Sequence, residues 1–210
     1  MRQIPGSEHD IKEAVNHILV TQQLPSVAEH EITETVILHL HEWIMSGLLE
    51  NTEEGLAGEY RKVSIGVEGS TKGRPPFSDV PPLMRRFFEV TMVKTDDEDL
   101  FHFLARIHSQ FQYIHPFRDG NGRIGRMLMN LHLIKNGYPI MVLPTTMSNM
   151  FNHGVEMAHR GDLSIFTRLL AEAVFHNLQI YEDALEVEIL PSLQEIMELK
   201  VAASPAQVTP

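Results

Sequence analysis

Twelve residues in the middle of the chain, HPFRDGNGRIGR from His115 to Arg126, gather one histidine, one acid, three arginines and three glycines. Glycine at this density weakens a helix, and arginine at this density resists burial. Read as chemistry, the same residues make a phosphate site. Gly120-Asn121-Gly122 can adopt backbone conformations closed to other residues and turn successive N–H groups toward an anion. A helix starting near Asn121 adds its N-terminal dipole and unpaired amides. Arg123 and Arg126 are three apart on that helix, so both reach one side and can clasp phosphate oxygens. Asp119 suits Mg²⁺, which is commonly held by one or two carboxylates plus substrate phosphates. His115, at the end of the preceding helix, can accept a proton from a hydroxyl at neutral pH. Singly, each of these residues is ordinary. Together in one turn they point to transfer of a phosphate-containing group from a nucleotide to an alcohol.

The surrounding sequence predicts the elements that position them. Thr95 and Glu98 form a capping-box pattern ahead of DLFHFLARIHSQFQYI, a helix leading into His115. MLMNLHLIKNG follows the motif, is apolar at helical spacing, and closes at Gly137, a C′ glycine. Its methionines read as core filler. Ser26 and Glu29 give a second capping-box pattern before VAEHEITETVILHLHEWI, in which Trp43 is expected to pack inward. Further helices are predicted at IKEAVNHIL, DVPPLMRRFFEVTM, about 146–159, about 163–184 and about 192–201. Between about 58 and 76 the pattern changes to β-branched alternation with Gly and Pro, which predicts one small β-hairpin flap. The expected fold is therefore all-α, a helical bundle carrying that flap. Residues 1–30 read as an N-terminal helix and extension, 31–184 as the domain, and 185–210 as a last helix with a frayed tail.

Composition narrows the function classes. The 210 residues carry a net charge of −11, which argues against general affinity for nucleic acid or an anionic membrane. No cysteine is present, so disulfides, thiolate metal sites and cysteine nucleophiles are excluded. Twelve histidines invite a zinc reading, but His39, His41, His102 and His108 lack zinc-site spacing and read as ordinary helix histidines. No apolar run approaches the length of a membrane span, the start lacks a signal peptide, and a cytoplasmic address is expected.

HPFRDGNGRIGR fits every specified position of H-x-F-x-[DE]-G-N-G-R-x-x-R, and on this ground the chain resembles Fic-domain proteins. The likeness extends from roughly Glu31 to Ile180. It takes in GEYR at Gly58–Arg61, the flap, the VPPLM stretch and MSNMFNHGVEMAHRGD. The resemblance implies a protein adenylyltransferase that moves AMP from ATP to a Ser, Thr or Tyr hydroxyl of a target protein and releases pyrophosphate. It implies His115 as the general base and Asp119 as the Mg²⁺ holder. Gly120, Asn121 and Gly122 would bind phosphate through backbone amides and the Asn side chain, with Arg123 and Arg126 on the phosphates. Phe117 would be a core anchor, and Arg118 falls at an unspecified position and is left out. The flap residues Val67, Glu68, Gly69, Ser70 and Thr71 would align the target by strand addition.

In the helix after the motif, Phe151 and Asn152 stand where the family often has two tyrosines that pack on the nucleotide, and His159 stands in place of an adenine-recognising Asn. They are assigned to nucleotide binding by stacking and hydrogen bonding. Many relatives carry an inhibitory helix with [ST]-x-x-x-E-[GN]. The one formal match, SIGVEG at Ser64–Gly69, lies in the flap and is set aside. Inhibition by a separate helix or protein is left open, as is a homodimer. Within the same fold the alternatives are transfer of UMP, phosphate or phosphocholine, and removal of AMP. Gly122 counts against the phosphorylating Doc type, which has lysine there. A regulatory module with a relic site is the remaining reading, and the intact motif opposes it.

Overall fold

The structure is a computed structural model that describes residues 7–49, 56–66 and 73–187. Among them are seven α-helices, joined by short 3₁₀ and π turns at Phe77–Asp79, Phe87–Thr91 and Thr145–Met147: α1 Glu8–Ala28, α2 Glu34–Ile44, α3 Val80–Arg86, α4 Leu100–Ile114, α5 Asn121–Lys135, α6 Ser148–His159 and α7 Ser164–Leu185. The all-α expectation holds. No strand occurs among the described residues, and the arms of the expected hairpin, at 61–66 and 73–76, are irregular. Its tip, Val67 to Thr71, lies outside the described residues, as does the helix expected at about 192–201.

Helix α5 is the centre of the bundle. It packs on α4 along one side and on α1 and α2 along another, while α4 is backed by α6 and α7. Its sequence explains this placement: Ile124, Met127, Leu128, Met129, Leu131 and Leu133 are all buried, so apolar residues surround the axis rather than forming one stripe. Opposite it, α4 presents Phe103, Leu104, Ile107, Phe111 and Ile114, a helical-period face. Each such side chain contributes about 1.5–3 kcal/mol on burial. Where α4 and α5 approach, Gly125 makes room: a Cβ there would lie 2.6 Å from Gln112 Nε2 and 3.0 Å from the ring of His108.

Helix ends follow local hydrogen bonding, and two differ from expectation. The Ser26/Glu29 pattern caps nothing, because α1 runs through Pro25 to Ala28; Leu24 and Ala28 are buried there, and packing overrides the local pattern. Thr33 caps α2 instead, and Ser7 with Asp10 forms the capping box of α1. At α4 the cap is Asp99, whose carboxylate accepts from the Phe101 and His102 N–H groups. Glu98 is occupied elsewhere: both of its oxygens accept from Arg106, at 2.8 and 2.6 Å, and that guanidinium holds its carboxyl down to about 2. Helix α5 ends as predicted. Gly137 has φ +79°, its N–H donates to Ile134 O, and the Tyr138 N–H donates to Leu133 O, a Schellman closure. Trp43 is 48% exposed on the outer face of α2, contrary to the expected inward packing.

Two buried asparagines hold the chain between α5 and α6. Asn130 accepts from Met141 N–H and donates to its carbonyl, and Asn177 does the same with Val142. The segment thus fixed forms one wall of a cleft beside α5.

Candidate active site

His115 is the C-cap of α4 and takes a left-handed backbone, φ 51° and ψ 62°. Pro116 follows, so the chain cannot continue the helix there. A left-handed residue other than glycine is uncommon and costs on the order of 1–2 kcal/mol, so something must hold it. Arg61 does. This side chain is 2% exposed and donates from Nε to the His115 carbonyl at 2.8 Å. Its other nitrogens donate to Val63 O at 2.9 Å, Pro75 O at 2.6 Å and Ile114 O at 3.4 Å. The Arg61 backbone N–H adds a bond to Pro116 O. One buried cation therefore gathers the carboxyl end of α4 and both arms of the flap. The sequence offers GEYR only as part of a resemblance and does not reveal this function. Its available signal was an arginine, the residue best suited to a forked set of acceptors, where the flap begins.

The His115 ring has a defined proton. Nδ1 lies 3.2 Å from Gln112 O, and a carbonyl only accepts, so the hydrogen is on Nδ1. Nε2 keeps its lone pair. Burial pushes the ring down to about 4, with Arg74 and Arg61 adding in the same direction, so the ring is neutral and able to take a proton at physiological pH.

The motif loop is closed from inside. Asn121 is 3% exposed, and its side chain brackets the Phe117 peptide: Oδ1 accepts the Phe117 N–H at 2.9 Å and Nδ2 donates to Phe117 O at 2.8 Å. This adds a loop-shaping role to the one expected of Asn121. Oδ1 and one Nδ2 hydrogen are engaged in the loop, which leaves the backbone N–H and the second Nδ2 hydrogen for an anion. Phe117 is fully buried, the anchor expected, and stacks on His41 with ring centroids 3.7 Å apart. His41 accepts from Gly58 N–H at Nδ1, so Nε2 carries hydrogen and donates to Asp119 O at 3.1 Å. It is a neutral bridge from α2 to the loop, pushed down to about 4 mainly by burial. Gly120 is required: its φ is +80°, and a Cβ would sit 3.0 Å from Met45 Sδ and 3.3 Å from His41.

Helix α5 begins immediately after. Ile124 N–H makes the first bond back, to Gly120 O, so the amides of Asn121, Gly122 and Arg123 precede the helical ladder. Gly122 lacks the special backbone conformation expected of it; a Cβ there would meet only Arg126 Nη1, at 3.4 Å. Its contribution is to leave the amide end of the helix uncovered.

The two motif arginines differ in their partners. Arg123 lies 3.1 Å from Glu13 and 3.3 Å from Asp119, the Glu13 contact being at ion-pair distance without hydrogen-bond alignment. Glu13 belongs to α1, so the segment read as an extension ahead of the domain reaches the site. Arg126 has no carboxylate within ion-pair distance among the described residues; burial, then repulsion from Arg123, weakens its hold on its proton. It borders a cleft of about 330 Å³ with His17, Thr21, Asn130 and the 140–143 segment. An under-compensated guanidinium beside a helix N-terminus is a place for an anion.

Asp119 holds its neighbour's amide with one oxygen, turns the other toward Arg123, and is 60% exposed. No cluster of three metal-ligating side chains occurs among the described residues. A lone exposed carboxylate fits Mg²⁺, which keeps waters and takes its remaining ligands from phosphates. Of the nucleotide-binding residues expected on α6, Asn152 is exposed, and His159 donates from Nε2 to Ser109 O at 3.0 Å. Phe151 is 4% exposed and packs edge-on against Phe166 and His108. Its ring is part of the core, so the stacking face expected of it is already covered.

Comparisons with known proteins agree with this geometry. The Fic/DOC family matches residues 31–133. The chain is similar to the protein adenylyltransferase Fic of Drosophila grimshawi, 32% identical over 158 residues, covering 74% of this chain and 31% of the relative. The Drosophila erecta counterpart is 33% identical over 158 residues, covering 74% and 30%. The chain thus spans about a third of the length of these curated relatives. Among solved structures, Fic-1 from C. elegans superposes with a TM-score of 0.75 at 24% identity, covering 89% of this chain and 55% of that one. A Fic domain containing signaling protein from Bacteroides thetaiotaomicron gives 0.76 at 21% identity, covering 90% and 78%. The motif loop, the helix pair and the buried histidine bridge described above all involve residues within 31–133, the part of the chain that matches the Fic/DOC family.

Proposed function

We propose that this chain is a protein adenylyltransferase, moving AMP from ATP to a Ser, Thr or Tyr hydroxyl of a target protein. The observation that carries the reading is the His115 ring: neutral, with its hydrogen on Nδ1 and the lone pair left on Nε2, in the same short motif as the open amide end of α5. The chain's similarity to the protein adenylyltransferases Fic of Drosophila supports it. Nε2 takes the hydroxyl proton as the oxygen attacks the α-phosphorus. The bond from that phosphorus to the bridging oxygen breaks, and pyrophosphate leaves with the electron pair. Amides of Gly122 and Arg123 and the guanidinium of Arg126 bind the phosphate oxygens as charge shifts toward the leaving group. Asp119 would hold Mg²⁺, which when bound neutralises phosphate charge. Arg123 reaches phosphate by exchanging its contact with Glu13. Target alignment by the flap residues Val67 to Thr71 belongs to the same reading, and is supported by the anchoring of both flap arms on Arg61.

The test is to supply Mg²⁺ with ATP labelled at the α- or the γ-phosphate, in the presence of candidate targets. Label arriving on protein from the α position alone is expected. Label from the γ position would replace the reading with phosphorylation.

A further inference from the structure

Arg74 has no role in the site as described, yet it stands at its edge. It occupies the returning arm of the flap, directly before Pro75-Pro76. Proline restricts the residue before it to extended conformations, so the arm is stiff at this point. The Pro75 carbonyl is held by Arg61 at 2.6 Å, and the same guanidinium holds the His115 carbonyl at 2.8 Å. Arg74 is therefore one residue from an anchor that also fixes the catalytic histidine.

Two of its three guanidinium nitrogens are not accounted for. Nε and Nη1 are buried, and neither has a hydrogen-bond partner. No carboxylate among the described residues stands at ion-pair distance from it. Glu156 and Tyr113 attract its charge from farther away, and Glu156 is also 3.4 Å from Arg160. Its charge is felt at the His115 ring, where it disfavours protonation. A guanidinium with buried, unsatisfied donors carries a desolvation penalty that a bound anion would relieve. Planar paired donors make arginine the residue suited to phosphate.

We propose that Arg74 is a phosphate-binding residue delivered by the flap, donating to the α-phosphate of the nucleotide beside His115. This rests on the reading of the site as one for a nucleotide. It gives the flap a second task besides target docking: it completes the anion site from the side opposite in sequence to the motif.

Binding of AMP, ATP and adenosine is measured by calorimetry, with Mg²⁺, on the full chain and on its Arg74→Ala and Arg74→Lys variants. Thermal unfolding is followed in parallel to show that the variants fold. The expected result is that Arg74→Ala weakens AMP and ATP by the same factor, roughly tenfold or more, as loss of a charge-assisted hydrogen bond implies. Adenosine binding stays unchanged, and Arg74→Lys recovers part of the loss. Wild-type binding of AMP and ATP that Arg74→Ala leaves intact overturns the proposal while the nucleotide reading stands; a higher KM for target alone then assigns Arg74 to protein docking. A shift in unfolding alone assigns it to pinning the flap. Absence of AMP and ATP binding by the wild-type chain overturns both readings together.

Discussion

Replacing Arg61 tests whether one buried cation organises the site. In Arg61→Met the three short bonds, at 2.6, 2.8 and 2.9 Å, disappear, and the carbonyls of His115, Val63 and Pro75 lose their donor. Charge-assisted bonds are each worth about 1.5–3 kcal/mol net, and the removed desolvation of the guanidinium offsets part of that sum. A loss of about 3 kcal/mol is expected. In a chain of 210 residues each kcal/mol moves Tm by about 2–4 °C, which gives a drop of about 6–12 °C. Arg61→Lys keeps the charge without the fork and falls about halfway. Below the melting range, His115 is no longer held in its left-handed backbone, so kcat for AMP transfer drops while the KM for ATP changes little. Calorimetry and steady-state transfer assays read these effects. A Tm within about 2 °C of wild type together with an unchanged kcat would refute the claim that Arg61 fixes the histidine.

Three further outcomes follow from the same geometry. Glu13→Ala frees Arg123 from its α1 partner and removes a negative charge near the phosphates; ATP affinity rises about two- to fivefold by titration, in keeping with a partly exposed pair worth up to about 1 kcal/mol, and a fall would contradict the described contact. Gly120→Ala must accept φ +80° and crowd Met45 and His41, so it lowers stability by about 1–3 kcal/mol in urea unfolding and reduces nucleotide binding; wild-type values for both would refute the requirement for glycine. Stability falls on acidification because burial lowers the proton affinity of His41, His115 and His132 to about 4 and of His108 to about 3. The unfolded chain binds those protons first, so this stability is complete above about pH 6.5 and is lost as pH falls through about 4, at up to about 1.4 kcal/mol per pH unit per histidine. Urea midpoints that stay level from pH 7 to pH 4 would show that these rings are not buried neutral.

The motif loop was legible because its residue types and spacing are written locally. His115, Asp119, Gly120 and Arg126 lie within twelve consecutive residues, and the apolar periodicity of α4 and α5 is strong enough to place them at a helix end and a helix start. Gly137 was legible for the same reason, since a helix stop needs few neighbours. Contacts that span the chain were not. Arg61 meets His115 across 54 positions, and His41 meets Asp119 across 78. Glu13 reaches Arg123 only because α1 folds back along α5. No local pattern encodes such pairs. Capping failed differently: Ser26/Glu29 and Thr95/Glu98 fit the box, but burial extended α1 past the first and Arg106 claimed the glutamate of the second. Phe151 shows the limit of carrying a family role onto a position. The residue type suits stacking on a base, but the ring is buried in the core against Phe166 and His108.

The most direct test of the central claim is the rate at which α-phosphate label reaches target protein in His115→Ala relative to wild type. Loss of a positioned base predicts a fall of about 10²–10⁴-fold at unchanged ATP affinity. Transfer within tenfold of wild type would contradict the assignment of Nε2 as the proton acceptor and, with it, the account of the site.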